Sequence, residues 1–229
     1  MADSCFLYYI TDRTAFSGDE SSRRRRLLEK IGEAARAGVD YIQLREKDLR
    51  TRDLESLAQE AVSAIRKAQL ATGKRQPATA LLINSRTDVA LGVQADGVHL
   101  RSDDISPQEV RTIWRNSVNQ SGRRRLARAN PPQNPLIAVS CHTPAELDRA
   151  AVSAANFAVF APVFEKPDAH PAGLKLLREA CLTDLPVLAL GGVTIANAHS
   201  CLEAGAAGIA AIRLFQDNEV SAIVKQLRG

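Results

Sequence analysis

Val39-Asp40-Tyr41-Ile42-Gln43-Leu44-Arg45-Glu46-Lys47 changes character with period two. In a β-strand, successive side chains point to opposite faces. Ile42 and Leu44 therefore share one face, and Gln43, Arg45 and Lys47 share the other. An amide, a guanidinium and an ammonium in a row cannot fill a core, because each unpaired charge taken out of water is costly. The row reads as one wall of a site for an anionic, hydrogen-bonding ligand. The plain alternative is a strand end where two basic side chains reach water.

The same segment is one copy of a faint repeat. Ala-Gly-Val-Asp-Tyr-Ile-Gln-Leu begins at Ala37 and Gln-Ala-Asp-Gly-Val-His-Leu at Gln94. Ala-Ala-Asn-Phe-Ala-Val-Phe begins at Ala154 and Ala-Gly-Ala-Ala-Gly-Ile-Ala-Ala-Ile at Ala204. Each puts small residues just before a short apolar run, at spacings of roughly fifty to sixty residues, or two βα units. Strands are predicted over Cys5–Ile10, Tyr41–Leu44, Ala80–Ile83, Gly97–Leu100, Leu136–Val139, Phe157–Phe160, Val187–Leu190 and Gly208–Ile212. Amphipathic stretches alternate with them: Leu27–Ala37, Leu54–Ala68, Asp88–Val93, Ser106–Trp114, Pro144–Ala151, Leu174–Glu179, Ile195–Glu203 and Glu219–Leu227. Strict alternation implies parallel strands joined by crossover helices. Eight βα units close naturally into an α/β (β/α)8 TIM barrel, here expected as one domain over residues 1–229. An open doubly wound sheet would want a glycine-rich turn after the first strand; Thr11-Asp12-Arg13 stands there instead.

The 229 residues suffice for such a core, and with only 4% aromatics it must be built from Ala, Leu, Val and Ile. The net charge of +4 is concentrated in Arg23–Arg26 and Arg123–Arg125. No aromatic residues interleave with these runs, so they read as solvated faces rather than nucleic-acid contacts. Cys5, Cys141, Cys181 and Cys201 form no CxxC pair and no metal-ligand spacing, which fits reduced thiols in a cytoplasmic protein. No run is long and apolar enough to cross a membrane. Asn116 to Pro135, rich in Arg, Asn, Gln and Pro, is expected to be a long flexible loop.

In such barrels the loops after the strands form the active site. That rule gathers Asp12 and Arg13 after strand one, Gln43, Arg45 and Lys47 at strand two, and Asn84, Ser85 and Arg86 at strand three. Strand four brings His99, Arg101, Asp103 and Asp104; strand five Ser140, Cys141 and His142; strand six leads to Lys166; strand seven ends in Gly191-Gly192 and strand eight in Arg213. Gly191-Gly192 before a helix start suits phosphate. His142 could act as general acid or base or simply hold a loop. Asp103 and Asp104 could take part in a magnesium site or cap the following helix.

These residues resemble the thiamine phosphate synthase and thiazole tautomerase family. The likeness runs from Tyr8-Tyr9-Ile10-Thr11-Asp12 to Phe215, and Gln43-Leu44-Arg45-Glu46-Lys47 is its strongest element. It continues in Ile83-Asn84, Ala95-Asp96-Gly97-Val98-His99-Leu100, Val139-Ser140-Cys141-His142-Thr143, Pro162-Val163-Phe164 and Leu188-Ala189-Leu190-Gly191-Gly192-Val193. The resemblance implies an enzyme that joins a hydroxymethylpyrimidine diphosphate to a thiazole phosphate and releases pyrophosphate. It implies that Gln43, Arg45, Lys47 and Asn84 hold the pyrimidine and its diphosphate, that Asp104 binds Mg2+, that Ser140 contacts substrate, and that Gly192 lines the thiazole phosphate pocket. It implies no nucleic-acid or membrane partner and leaves a homodimer open.

The chain departs from the synthase pattern at several points. Ser85 stands where an acidic metal ligand is expected, Arg101-Ser102-Asp103-Asp104 replaces Gly-Gln-Glu-Asp, and Phe164-Glu165-Lys166-Pro167-Asp168 replaces a Thr-x-Thr-Lys loop. Arg213 replaces a serine. The alternatives are a tautomerase using His142 as acid or base, or a non-catalytic barrel that binds the thiazole phosphate.

Overall fold

Eight parallel strands pair in chain order, and the last pairs with the first. They are β1 (Phe6–Ile10), β2 (Tyr41–Leu44), β3 (Ala80–Asn84), β4 (Gly97–Leu100), β5 (Leu136–Cys141), β6 (Phe157–Phe160), β7 (Val187–Ala189) and β8 (Gly208–Ala211). This computed structural model describes residues 5–72, 78–121, 132, 134–164 and 171–229. The helices are α1 (Glu20–Ala37), α2 (Thr51–Thr72), α3 (Thr87–Val93), α4 (Pro107–Ser121), α5 (Pro144–Val152), α6 (Gly173–Ala180), α7 (Ile195–Glu203), α8 (Arg213–Gln216) and α9 (Val220–Arg228). The result is the (β/α)8 barrel that the alternation of elements implied. Closure is seen in the register Phe6 to Gly208 and Tyr8 to Ala210 between β1 and β8.

Period-two alternation in each strand divides the apolar residues into two cores. Ile42 and Leu44 face outward into the layer between strands and helices, with Leu27, Ile31, Leu57 and Val98. Tyr8, Ile10, Leu82, Ala138, Phe157, Val159, Leu188 and Ala210 face inward. Each fully buried Leu or Ile contributes about 1.5–3 kcal/mol, so the outer layer supplies most of the hydrophobic stabilisation. Inside the barrel, the scarce aromatics concentrate near the N-terminal ends of the strands. Tyr41 stacks on Phe157 at 4.7 Å between ring centroids, and Tyr8 meets both edge-on at 5.8 and 5.6 Å. Three rings therefore plug one end and leave the other for polar groups.

Two segments differ from expectation. Helix α1 starts at Glu20 rather than Leu27. Asp19 caps it by accepting a hydrogen bond from the Ser22 amide at 2.9 Å. The arginine run is then one part of a helix, as arginine's high helix propensity allows. Arg24 pairs with Glu60 of α2 at 2.7 Å, and Arg23 donates to the Phe16 carbonyl at 3.1 Å. The loop expected from Asn116 is instead helix as far as Ser121, the end of α4. Trp114 anchors that helix in the core, and its ring N–H donates to the Pro132 carbonyl at 2.8 Å. Residues 122–131 and 133, and with them Arg123–Arg125, lie outside the described residues.

The chain end is latched beneath the barrel. The Arg228 guanidinium pairs with Asp40 and donates to the carbonyls of Gly38 at 2.8 Å and Cys5 at 3.1 Å. Asp40 in turn accepts from the Leu7 amide at 2.7 Å, so one carboxylate ties β1, the entry to β2 and α9 together. Arg228→Ala should lower the unfolding free energy by about 1–3 kcal/mol, the cost of leaving hydrogen-bonded charge and carbonyls without a donor. Urea denaturation measures this, and Arg228→Lys should recover only part of the loss because it lacks the planar fork.

Candidate active site

Polar side chains collect where β2 to β5 reach the open end of the barrel. Gln43 is buried and faces inward, and its amide N–H donates to Asn84 Oδ1 at 2.8 Å. Asn84 leads to Ser85 at 3.4 Å, and the Ser85 hydroxyl donates to Asp104 Oδ2 at 2.6 Å. Asp104 also accepts from the Arg101 amide at 2.8 Å and from Arg101 Nε at 3.3 Å. Partial burial pushes the Asp104 carboxyl upward, but the Ser85 hydroxyl, the Arg101 amide and the Arg101 charge outweigh it and hold the group below the usual carboxylate range. One bonded chain thus crosses the ends of three strands and terminates in a firmly ionised carboxylate.

Beneath it lies a second chain. Tyr8 and His99 Nδ1 are 2.9 Å apart, and His99 Nε2 lies 2.7 Å from Ser140 Oγ. His99 is almost fully buried. Desolvation, aided by the nearby Arg45 charge and opposed by Asp104, lowers its pKa to about 3. His99 is therefore a neutral ring throughout the physiological range.

The basic row is built differently from the pure strand pattern. β2 ends at Leu44, so Arg45 and Lys47 lie beyond the ladder. Their placement depends on Glu46, which sequence reasoning passed over. Glu46 is buried and accepts from the Thr11 hydroxyl at 2.6 Å, the Arg13 amide at 3.0 Å and Arg13 Nη1 at 3.2 Å. Thr11 Oγ1 also accepts from the Arg45 amide at 3.0 Å. Burial raises the Glu46 pKa, while the Thr11 and Arg13 bonds oppose that rise. Glu46 is pinned on the face it shares with Ile42 and Leu44, while its neighbours are less enclosed: Arg45 is half-buried and Lys47 exposed. A signal was present, because period two puts Glu46 on the same face as Ile42 and Leu44, where an acid needs a partner. Arg13 is that partner. It is buried and also pairs with Glu20 and Asp48, both at 2.7 Å, so it belongs to the support of the site rather than to its ligand-facing surface.

Other expected residues fall around the same rim with less to join them. Gly191 and Gly192 adopt φ of 98° and 64°. A Cβ on Gly191 would sit 2.7 Å from Pro162 Cα, so only glycine allows that turn. Asn197 secures the turn by donating to the Gly192 carbonyl at 3.0 Å. His142 is exposed, and its Nδ1–H donates to the Ala161 carbonyl at 2.7 Å, which leaves Nε2 as the basic nitrogen of the neutral ring. Arg213 is exposed at the start of α8. Asp12 caps a short turn by accepting from the Thr14 amide and hydroxyl. Asp103 is paired with Arg101 at 3.3 Å. Lys166 lies outside the described residues.

A family model described as thiamine monophosphate synthase matches residues 7–215. The chain belongs to the thiamine monophosphate synthase family. It is 35% identical over 228 residues to a thiamine-phosphate synthase of Methanoculleus marisnigri, covering 97% of this chain and 93% of that one. It is 36% identical over 211 residues to a thiamine-phosphate synthase of Roseiflexus sp., covering 90% of this chain and 76% of the relative. Among solved structures, thiamine phosphate pyrophosphorylase from Pyrococcus furiosus superposes with a TM-score of 0.74 at 26% identity, over 99% of this chain and 95% of that one.

Within this thiamine monophosphate synthase family member, the described residues include no group of three or more His, Cys, Asp and Glu side chains placed to hold a metal ion. Among those residues, then, no metal centre is supplied wholly by the protein. Mg2+, however, is commonly held by one or two carboxylates, with substrate phosphates and water completing the shell. Asp104, ionised and at the rim, fits that smaller demand. Ser85 fills the neighbouring position at φ 56°, a left-handed backbone conformation in which its hydroxyl reaches Asp104.

Two tests follow from the buried groups. Glu46→Ala should destabilise the fold by about 1–3 kcal/mol, because it leaves the Thr11 hydroxyl and the Arg13 amide without their acceptor while Arg13 keeps Glu20 and Asp48; the loss is read from urea denaturation. His99 gives a pH signature. Its folded pKa is depressed, so the unfolded chain binds the proton that the native ring refuses. Stability should therefore fall as pH drops below about 6.5, with a slope contribution of up to about 1.4 kcal/mol per pH unit. His99→Gln should remove that contribution when unfolding free energies at pH 7, 6 and 5 are compared with the parent chain.

Proposed function

We propose that this chain is a thiamine-phosphate synthase that joins a hydroxymethylpyrimidine diphosphate to a thiazole phosphate with release of pyrophosphate. The observation that carries the reading is the bonded chain Gln43–Asn84–Ser85–Asp104 at the mouth of a barrel of this family. Gln43 and Asn84 offer the fixed donors and acceptors that a pyrimidine edge requires. Arg45 and Lys47 meet the diphosphate and stabilise the negative charge that grows on it as the bond to the pyrimidine methylene breaks, the charge-stabilising role in which preorganised groups are most effective. The thiazole ring nitrogen then bonds to that methylene carbon, and pyrophosphate leaves with the bonding electron pair. Gly191 and Gly192, with their backbone open to close approach, hold the thiazole phosphate; Arg213 adds positive charge on that side. Ser140 contacts the substrate from the floor of the mouth.

Asp104 would hold Mg2+, which when bound offsets diphosphate charge as a Lewis acid. The Ser85 replacement leaves Asp104 as the one carboxylate at this position, so metal affinity in the absence of diphosphate should be weak. The four cysteines are free thiols and no described helix is long and apolar enough to span a membrane; a cytoplasmic setting fits both.

The tautomerase alternative would rest on His142. Its Nδ1 is engaged with Ala161 and its ring is exposed, whereas a ring poised for proton transfer is usually held within a closed site. The relatives named above are synthases, so neither this alternative nor a non-catalytic barrel is favoured.

The direct test is pyrophosphate release from the two substrates with Mg2+ present. Turnover is expected, and Arg45→Ala should lower kcat/KM by about 10²–10³, with EDTA reducing the parent rate. Background release in the parent chain would reject the assignment.

A further inference from the structure

The sense of the Tyr8–His99–Ser140 chain can be deduced from hydrogen-bond bookkeeping. Tyr8 is fully buried in the aromatic plug, and His99 Nδ1 is its one hydrogen-bonding neighbour among the described residues. A buried hydroxyl whose proton finds no acceptor costs about 1–3 kcal/mol. The Tyr8 O–H must therefore donate to Nδ1, which places the single ring proton of neutral His99 on Nε2. Nε2–H then donates to Ser140 Oγ. Ser140 has one lone pair engaged from below, and its own proton has no bonded acceptor among the described residues. Ser140 follows Ala138 by two positions on β5, so it shares the inward face one step nearer the mouth, and it is partly exposed where Tyr8 and His99 are not.

We propose that Tyr8 and His99 are positioning residues that fix the Ser140 hydroxyl as a hydrogen-bond donor aimed at an acceptor atom of the substrate. The identity of that substrate, a phosphorylated pyrimidine or thiazole, rests on the synthase reading; the direction of the chain does not. The acceptor is a ring nitrogen or a phosphate oxygen, and a donor such as an exocyclic amine is disfavoured at this point. Because neither Tyr8 nor His99 reaches the mouth, both act through Ser140.

Long-range 1H–15N correlation spectra of histidine-labelled protein at pH 7 read the tautomer directly, with His99→Gln assigning the signal. His99 should show a protonated Nε2 and an unprotonated Nδ1. A protonated Nδ1, or a charged ring, would overturn the proposal whatever the enzyme assay shows. In the assay, Tyr8→Phe should lower kcat/KM about five- to tenfold, the worth of one neutral hydrogen bond, and should blur the tautomer signal. Ser140→Ala should produce a loss of similar size. Added to Ser140→Ala, Tyr8→Phe should cost less than about twofold more, because the two act on one contact. Independent, multiplying losses would show that Tyr8 acts elsewhere. A parent chain with the expected tautomer but no synthase turnover would sink the functional reading alone.

Discussion

A buried carboxylate at the end of β2 governs the geometry of this site. Glu46 cannot stay in the interior unpaired, and the Arg13 guanidinium, the Arg13 amide and the Thr11 hydroxyl all converge on it. Those bonds join the loop after β1 to the loop after β2. They also fix the backbone on either side of Glu46, where Arg45 is half-buried and Lys47 exposed. A charged pair of this kind gives little net stability over apolar packing. Its return lies in placement, since the two cations of the row lie outside the strand that would otherwise orient them.

The barrel interior is graded along its axis. Aromatic rings seal the N-terminal end of the strands, small aliphatic residues fill the middle, and amides, hydroxyls and one neutral imidazole occupy the C-terminal end. Each polar group is bonded to the next, so little reorganisation is left for the moment of reaction. Asp104 is held ionised at the rim, and His99 is held neutral in the interior. A protonated His99 would add a positive charge beneath Arg45, and its burial prevents this.

Much of the site was legible before the fold was seen. Gln43, Asn84, Ser140 and Asp104 were marked by their positions at strand ends, and the structure joins Gln43 to Asn84 directly and Asn84 to Asp104 through Ser85. His142 and Arg213 stand on the same rim but in looser surroundings. Two residues took roles that the sequence did not show. Arg13, gathered only as one of the polar residues after strand one, is a buried structural cation; Glu46, passed over, is its partner. Both omissions have the same source, since an ion pair between loops after neighbouring strands joins residues 33 positions apart, beyond the reach of any local pattern. The solvated face expected for Arg23–Arg26 proves to be helical, but the earlier start of α1 and the extension of α4 to Ser121 were missed; Glu60 and Pro132, which these helices meet, lie well away in the chain.

By itself the sequence determined the order of eight strands and their helices, the inward or outward sense of each strand residue, and the edge of the barrel that would carry chemistry. These follow from local periodicity and from the few ways βα units can close. The tertiary structure alone decided which polar groups bond to one another, which charges are spent on support, and which nitrogen of His99 carries its proton. Such choices depend on burial and on the partner across the barrel, and both exist only once the last strand has met the first.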